Sequence, residues 1–386
     1  MTKHMQVKPL QEKRERSPLV IRRVDVVPVA LPLVKPMRMA GITITHAQNI
    51  LVRIEAIDGT VGWGEAASAP TMTGDTLGGL VCAVRDYLAP MLEGEDAWTR
   101  PQLMRRLRAA LLGNTGAHSA VELALIDLTS RSAALPAVDL LGGALRQAVA
   151  PMWLLGNATP EEDLAEAHAK QREGFDFFKL KVGSKGLAHD IAATHAVRDV
   201  LTHSTPLCAD ANCGFAPASA RRYLEETRKA ELLFLEQPLG YADLKGLTTL
   251  ARLSPIPIGA DEGIHSITDI DAHAQCGAGG VSIKLIKLGG FSTALEAAVR
   301  ADYLGLSLNI AAKIAESSIA SAATIHLACA VPAIDWGVSL THFYLAEDIV
   351  RKPLPLHDGL VALPVTPGLG VEIDEDAVYR FRVEGL

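Results

Sequence analysis

The chain contains no run of about 18 consecutive apolar residues, the length a membrane-spanning helix needs, so no membrane partner is expected. Its first residues lack the apolar core of a secretion signal, and no leader peptide is expected either. Cysteine is scarce: Cys82, Cys208, Cys213, Cys276 and Cys329 are scattered and form no C-x-x-C pair. That pattern excludes a disulfide scaffold and a structural zinc site, and it suits a reducing cytoplasm. Surplus positive charge is missing too. A formal net charge of −7 argues against a dedicated nucleic-acid surface. Internal repeats and low-complexity tracts are absent. What is present is a chain of 386 residues, 49% hydrophobic and 21% charged, enough for a large buried core and for two domains.

Residues 1–18 mix Lys3, Lys8, Lys13, Arg14 and Arg16 with Glu12 and Glu15, show no apolar period, and read as a mobile extension. Val24 to Leu33 alternate like a strand, whereas Val34 to His46, with Pro36, Met37, Met39 and Gly41, reads as an exposed loop. Ile50 to Glu55 alternate, Asp58-Gly59 marks a turn, and Val61-Gly62-Trp63-Gly64-Glu65-Ala66 returns as the second arm of a hairpin. A second loop, Ser68 to Asp75, precedes helical patterns over residues 76–92, 100–112 and 117–133. A meander followed by helices is an α+β domain. From Val149 the rhythm changes to apolar runs alternating with amphipathic helical patterns. The runs are 151–155, 177–182, 206–209, 232–235, 256–260, 280–285, 306–310 and 333–336. They recur at roughly 23 to 32 residues, which fits a βα unit. Eight such units read as a (β/α)₈ TIM barrel, with a doubly wound open sheet as the alternative. The tail from Pro353 to Leu386, rich in Pro and Gly, is expected to leave the barrel and pack elsewhere.

The run Phe177-Phe178-Lys179-Leu180-Lys181-Val182-Gly183 ends a buried strand in two ammonium groups, and burying an unpaired charge is expensive. Alone, a Lys-x-Lys pair is commonplace on a solvated strand face. Its company changes that reading. In a barrel, polar residues at strand C-termini point into one mouth. Here those ends carry Lys179 and Lys181, then Asp210, Glu236 and Asp261, then Lys284 and Glu316. Three like charges brought together cannot all stay ionised without a cation, so a divalent metal is expected on Asp210, Glu236 and Asp261. All-oxygen ligation selects Mg²⁺, or Mn²⁺, over Zn²⁺. Asn212 and Glu262 follow these ligands and are candidates for supporting them from behind. Lys181 and Lys284 would face each other across the mouth, with Lys179 beside Lys181 on one strand face. A neighbouring ammonium and a divalent cation would lower the Lys181 pKa toward the ~7–8 useful to a general base. The substrate is expected to be a small carboxylate, its α-proton acidified by the metal. Lys287 is the rival base on the sixth strand, but the period of two puts it in the following turn.

With these residues in order, the sequence resembles the enolase superfamily, in the muconate lactonizing enzyme subgroup of its mandelate racemase/muconate lactonizing enzyme family. The likeness also rests on Gly62-Trp63-Gly64-Glu65-Ala66, on Ala120-Val121-Glu122-Leu123-Ala124-Leu125-Ile126-Asp127-Leu128 and on Leu140-Leu141-Gly142-Gly143. Enolase-superfamily sites join a Lys or His base to Mg²⁺. The resemblance implies an α+β capping domain over residues 19–147, a modified (β/α)₇β barrel over 148–352, and a segment 353–386 returning to the cap. It implies Mg²⁺ on Asp210, Glu236 and Asp261, with Lys181 and Lys284 as the acid/base pair and Lys179 tuning Lys181. It further implies specificity loops at Met37–His46 and Ser68–Asp75, and a homo-oligomer, dimer or octamer. Mandelate racemase-type members carry a His after strand seven, where this chain has Glu316. Dipeptide epimerases carry an Asp-x-Asp where this chain reads Asp335-Trp336-Gly337. The run Ile314-Ala315-Glu316-Ser317-Ser318-Ile319 resembles that of muconate cycloisomerases. After Asp261-Glu262 the family usually has Ser, where this chain has Gly263. The expected activity is therefore isomerisation: cycloisomerisation of a muconate-like diacid, or racemisation or epimerisation of an N-substituted amino acid. The alternatives are syn-dehydration, as in o-succinylbenzoate synthase-like or hydroxyproline dehydratase-like lyases, and a metal-dependent binding protein without catalysis. Paired lysines weigh against the last.

Overall fold

The computed structural model describes residues 16–39 and 42–386, so most of the extension expected over residues 1–18 lies outside the described residues. The first sheet has three antiparallel strands, Ile21–Met39, Ile42–Ala56 and Val61–Ala67, paired in sequence order. Its long first pair corrects the expectation of a loop over Val34–His46. Pairing runs on through Met37 with Ile44 and Arg38 with Thr43 to Met39 with Ile42. The β-branched run Ile42-Thr43-Ile44-Thr45 favours a strand. The register breaks between Pro32 and Met37, which is how a proline-bearing strand stays paired.

A helix, Thr115–Ala133, lies directly on the third strand. A Cβ on Gly62 would sit 2.3 Å from the Ala124 carbonyl oxygen, and one on Gly64 would sit 2.0 Å from that of Ala120. Only glycine permits that approach. The helix is buried from Gly116 to Ser130 with no solvent face, so its acidic side chains must find partners inside the protein. Asp127 accepts from the backbone N–H groups of Trp63 (2.8 Å) and Leu369 (2.7 Å) and from Arg131 Nε (2.9 Å). Glu122 accepts from Arg108 Nη2 (3.1 Å) and from the Ser292 N–H (3.3 Å), at the start of the barrel helix Phe291–Tyr303. These carboxylates tie the helix to the first sheet, to the C-terminal tail and to the barrel.

The second sheet is an eight-stranded parallel barrel in sequential order. Its strands are Trp153–Leu155, Phe178–Lys181, Leu207–Asp210, Leu235–Glu236, Ile258–Ala260, Gly280–Ile283, Ser307–Ala311 and Val338–Ser339. The Met152 N–H donates to the Val338 carbonyl at 2.8 Å and closes the ring. Helices follow the first seven strands; after the eighth, one short turn at His342–Tyr344 precedes the tail. This is the modified TIM barrel expected. The eighth strand is displaced from the expected 333–336 because Trp336 is used as a plug. Its ring stacks on Phe234 at 4.0 Å and 8° and presses on Gly259 and Gly280, where a Cβ would lie 2.7 and 2.6 Å from it. The floor is thus sealed, and chemistry is confined to the other end. The tail returns to the first sheet: the Ala30 N–H donates to the Phe381 carbonyl and the Val383 N–H to that of Pro28, each at 2.9 Å.

Gly64→Ala drives a methyl into helix backbone that cannot move aside. It should destabilise the fold by about 3 kcal/mol, at the upper end of overpacking penalties, as read from a denaturant unfolding curve.

Candidate active site

Register brings the charges to one level. Lys181 lies opposite Asp210, and Asp210 opposite Glu236, across the second to fourth strands. Asp261 and Lys284 are the first residues beyond the fifth and sixth strands. Lys181 Nζ donates to Asp210 Oδ2 at 2.6 Å and to Asn212 Oδ1 at 2.5 Å. Lys179 pairs with Glu236, and Lys284 pairs with Asp261. Glu236 is also held by the Ser282 hydroxyl. Asn212 Nδ2 donates to Glu262 Oε1 at 2.8 Å, so Asn212 bridges Lys181 and Glu262. Gln237 Oε1 accepts from the N–H groups of Asp261 (2.9 Å) and Gly263 (3.2 Å) and shapes the turn that presents Asp261. A Cβ on Gly263 would lie 2.5 Å from His273 Nε2, so a larger residue there requires the imidazole to move.

Lys179, Lys181, Asp210, Asn212, Asp261 and Lys284 line one cavity of about 60 Å³. Glu236 is buried and does not line it. Glu262 lines an adjoining cavity of about 520 Å³, walled by Thr43 and His46 of the strand Ile42–Ala56 and by Ser68 and Met72 of the Ser68–Asp75 loop, the two segments expected to set specificity. Glu316 lines neither cavity. Its Oε2 accepts from the Lys313 N–H at 2.9 Å, and its own N–H donates to Thr341 Oγ1 at 3.0 Å. Lys313 lines both cavities instead. As the first charged residue after the seventh strand, it satisfies the strand-end rule better than Glu316 does. Lys287 belongs to the same cluster. It sits in the short helix Leu285–Leu288, as the turn reading has it, yet it is completely buried, with Nζ 2.7 Å from Asp261 Oδ1 and 3.0 Å from the Ser282 carbonyl. The sequence signal was a lysine flanked on both sides by Leu and Ile.

The electrostatics follow from burial opposed by pairing. Burial alone would raise Asp261, but Lys284 and Lys287 hold it well below the ordinary carboxylate range. Burial would lower Lys284 and Lys179, but Asp261 and Glu236 respectively keep them above the usual lysine value. Glu262 is pushed up to about 7 by burial and by the charges of Asp261 and Asp210. Glu316 is pushed up to about 8 by burial and by Glu65. Lys313 is pulled down to about 8 by burial, with Glu316 opposing.

Among the described residues no three His, Cys, Asp or Glu side chains stand close enough to hold a metal as they are oriented here; each strand-end carboxylate is turned to a lysine. The donor chemistry nevertheless fits a hard divalent cation. The carboxylates end three neighbouring strands, all donors are oxygen, and the buried Glu262 Oε2, under the influence of Asp210 and Asp261, has no hydrogen-bond partner.

The mandelate racemase/muconate lactonizing enzyme N-terminal domain family matches residues 21–142, and the enolase C-terminal domain-like family matches residues 162–377. The chain belongs to the mandelate racemase/muconate lactonizing enzyme family. Within that family it is 32% identical to muconate cycloisomerase 1-2 of Acinetobacter lwoffii, over 95% of this chain and 96% of the relative. It is 30% identical to the L-Ala-D/L-Glu epimerase of Bacillus subtilis, over 91% of this chain and 96% of the relative. The crystal structure of a muconate lactonizing enzyme from Pseudomonas fluorescens complexed with muconolactone superposes with a TM-score of 0.92 at 29% identity, covering 95% of this chain and 100% of that one. These relatives are isomerases, and the chain is an enzyme of that type. The N-terminal part of the chain reaches the barrel through Glu65. Its oxygens accept from Asn49 Nδ2 (2.7 Å), the Ser317 N–H (2.9 Å) and hydroxyl (2.6 Å), and the Ala320 N–H (3.0 Å), at the N-terminus of the barrel helix Ser318–Ala330.

Asp261→Asn leaves the ammonium groups of Lys284 and Lys287 buried without a counter-charge. In EDTA, which separates this effect from any metal, urea unfolding should show a loss of about 3–5 kcal/mol. Adding Lys287→Met should restore part of that loss.

Proposed function

We propose that the protein is a Mg²⁺-dependent isomerase acting at the carbon α to a substrate carboxylate, and that its reaction is a muconate-type cycloisomerisation. The reading is carried by one observation. Lys181 and Lys284, from the second and sixth strands, line the same small cavity together with Asp210 and Asp261. Two ammonium groups reaching one cavity from strands far apart in the barrel suit proton delivery or removal at one carbon, which a binding protein does not need. Asp210, Glu236 and Asp261 would hold the cation, with Mn²⁺ as an alternative to Mg²⁺. When bound, the cation supplies positive charge against the substrate carboxylate and so favours charge developing at the α-carbon.

The remaining roles fall to this chain's own side chains. In the cyclising direction a carboxylate oxygen of a diene diacid adds to a double bond. The carbon α to the other carboxylate becomes carbanionic and takes a proton from Nζ of one lysine. That lysine is reprotonated from solvent, so the diacid is converted to its lactone isomer. The other lysine, held across the cavity, steadies the negative charge as it develops. Lys179, bound to Glu236, would hold that ligand in place and keep a positive charge beside Lys181. Asn212 would orient Lys181, and Glu262 would sit behind Asp210 and Asp261. Glu316, which lines neither cavity, would hold the Lys313 turn through its bond to the Lys313 N–H. Racemisation is the second reading, favoured by the 30% identity to an epimerase and by a lysine on each side of the cavity.

Lys181→Ala and Lys284→Ala should each lower kcat by about 10²- to 10⁴-fold with unchanged circular dichroism. EDTA should abolish activity and Mg²⁺ restore it. Loss of diene absorbance reports cycloisomerisation, and deuterium uptake from D₂O with inversion reports racemisation. Full activity in both variants would refute the assignment.

A further inference from the structure

Among the described residues, the lysines around the barrel mouth are buried or half-buried, and Lys313 alone of them is not paired with a carboxylate. Lys179 has Glu236, Lys181 has Asp210, and Lys284 and Lys287 share Asp261. Lys313 is 5% exposed and, among the described residues, has no carboxylate within ion-pair distance. Its Nζ donates only to the carbonyl of the next residue, Ile314, at 2.5 Å, which leaves two of its three donors without a protein acceptor. The nearby Glu316 does not neutralise it. That carboxyl is pushed toward its protonated form and accepts from the Lys313 backbone N–H. The backbone of Lys313 is pinned on its other side by the Thr341 hydroxyl, which donates to its carbonyl at 2.8 Å. Lys313 is thus a fixed ammonium on the boundary shared by the inner and outer cavities, among the apolar walls Ala312, Ile314, Leu340 and Met72. An unpaired buried charge is costly to keep, and one that lines a cavity is best matched by an anionic ligand.

We propose that Lys313 receives a second negatively charged group of the substrate, a carboxylate remote from the one at the reacting end, so that the site selects α,ω-dicarboxylates over monocarboxylates. The inference rests on the reading above that the inner cavity takes one substrate carboxylate. It assigns Lys313 a specificity role and no part in proton transfer. A lysine serving only the packing of the seventh-strand turn would give the same preference for both classes of acid.

The test is isothermal titration calorimetry on the full chain loaded with Mg²⁺, using hexanedioate and hexanoate, which share a carbon count and differ by one carboxylate. The wild-type protein should bind hexanedioate about 10- to 100-fold more tightly, the range of a charge-assisted hydrogen bond. In Lys313→Met that preference should fall below about 3-fold, with hexanoate affinity unchanged. Lys313→Arg, which keeps the charge, should retain most of it and serves as the informative variant if the methionine protein does not fold. Equal binding of the two acids by the wild-type protein, binding of neither, or a parallel loss for both in Lys313→Met overturns the proposal. Preference for the diacid without cycloisomerase or exchange activity would leave the Lys313 assignment standing and remove the catalytic reading. Activity without preference would do the reverse.

Discussion

Charge matching at the barrel mouth governs much of the rest of the molecule. Carboxylates and ammonium groups can be buried together there only because strand register sets them side by side, Lys181 against Asp210 and Asp210 against Glu236. A slip of one residue in the second strand would turn Lys179 and Lys181 outward and leave the carboxylates uncompensated. The supporting side chains are explained by the same requirement. Ser282 holds Glu236, Asn212 links Lys181 to Glu262, and Gln237 shapes the turn that presents Asp261. The sealed floor contributes as well. With Trp336 stacked on Phe234, the polar layer has apolar packing below it and a cavity above.

The first sheet is joined to this mouth by acidic residues that a surface reading would have dismissed. Glu65 caps the helix after the seventh strand, while Glu122 and Asp127 connect the buried helix Thr115–Ala133 to the barrel and the tail. Each is buried and multiply hydrogen-bonded, which is how a buried carboxylate stays tolerable. The consequence is functional. Side chains that wall the outer cavity, such as Thr43, His46 and Met72, come from a part of the chain that contributes nothing to the row of lysines and carboxylates. Walls and reacting groups can therefore change independently, in keeping with a family that includes both a cycloisomerase and an epimerase.

Local periodicity shows eight alternating βα units, the lysines and carboxylates that end their strands, and the Asp58-Gly59 hairpin; it leaves a closed barrel and an open sheet both possible, and the family resemblance favours the barrel. Periodicity failed where a local signal was outweighed. Pro36 and Gly41 suggested a loop, yet Ile42-Thr43-Ile44-Thr45 had a partner strand available and extended the hairpin. The eighth strand was placed early because Ala333 to Trp336 is apolar, and nothing local distinguishes a plug from a strand. The period of two places Lys287 in the turn after the sixth strand, where a lysine is ordinarily solvated. Its burial depends on Asp261, which is distant in sequence. Glu316 and Lys313 both follow the seventh strand, and only the structure shows that Lys313 lines both cavities while Glu316 Oε2 accepts from the Lys313 N–H.

By itself the sequence determined the order of elements, the alternation that makes a parallel barrel, and the residue types that end each strand. These are properties of neighbours along the chain, with periods of two and about 3.6 residues. Tertiary structure alone decided which lysine meets which carboxylate, how closely Gly62 and Gly64 admit a helix, and which cation, among the described residues, has no carboxylate beside it. Those outcomes depend on barrel closure and on distances between residues far apart in sequence. In a buried layer, a difference of one or two ångström separates an ion pair from an unmatched charge.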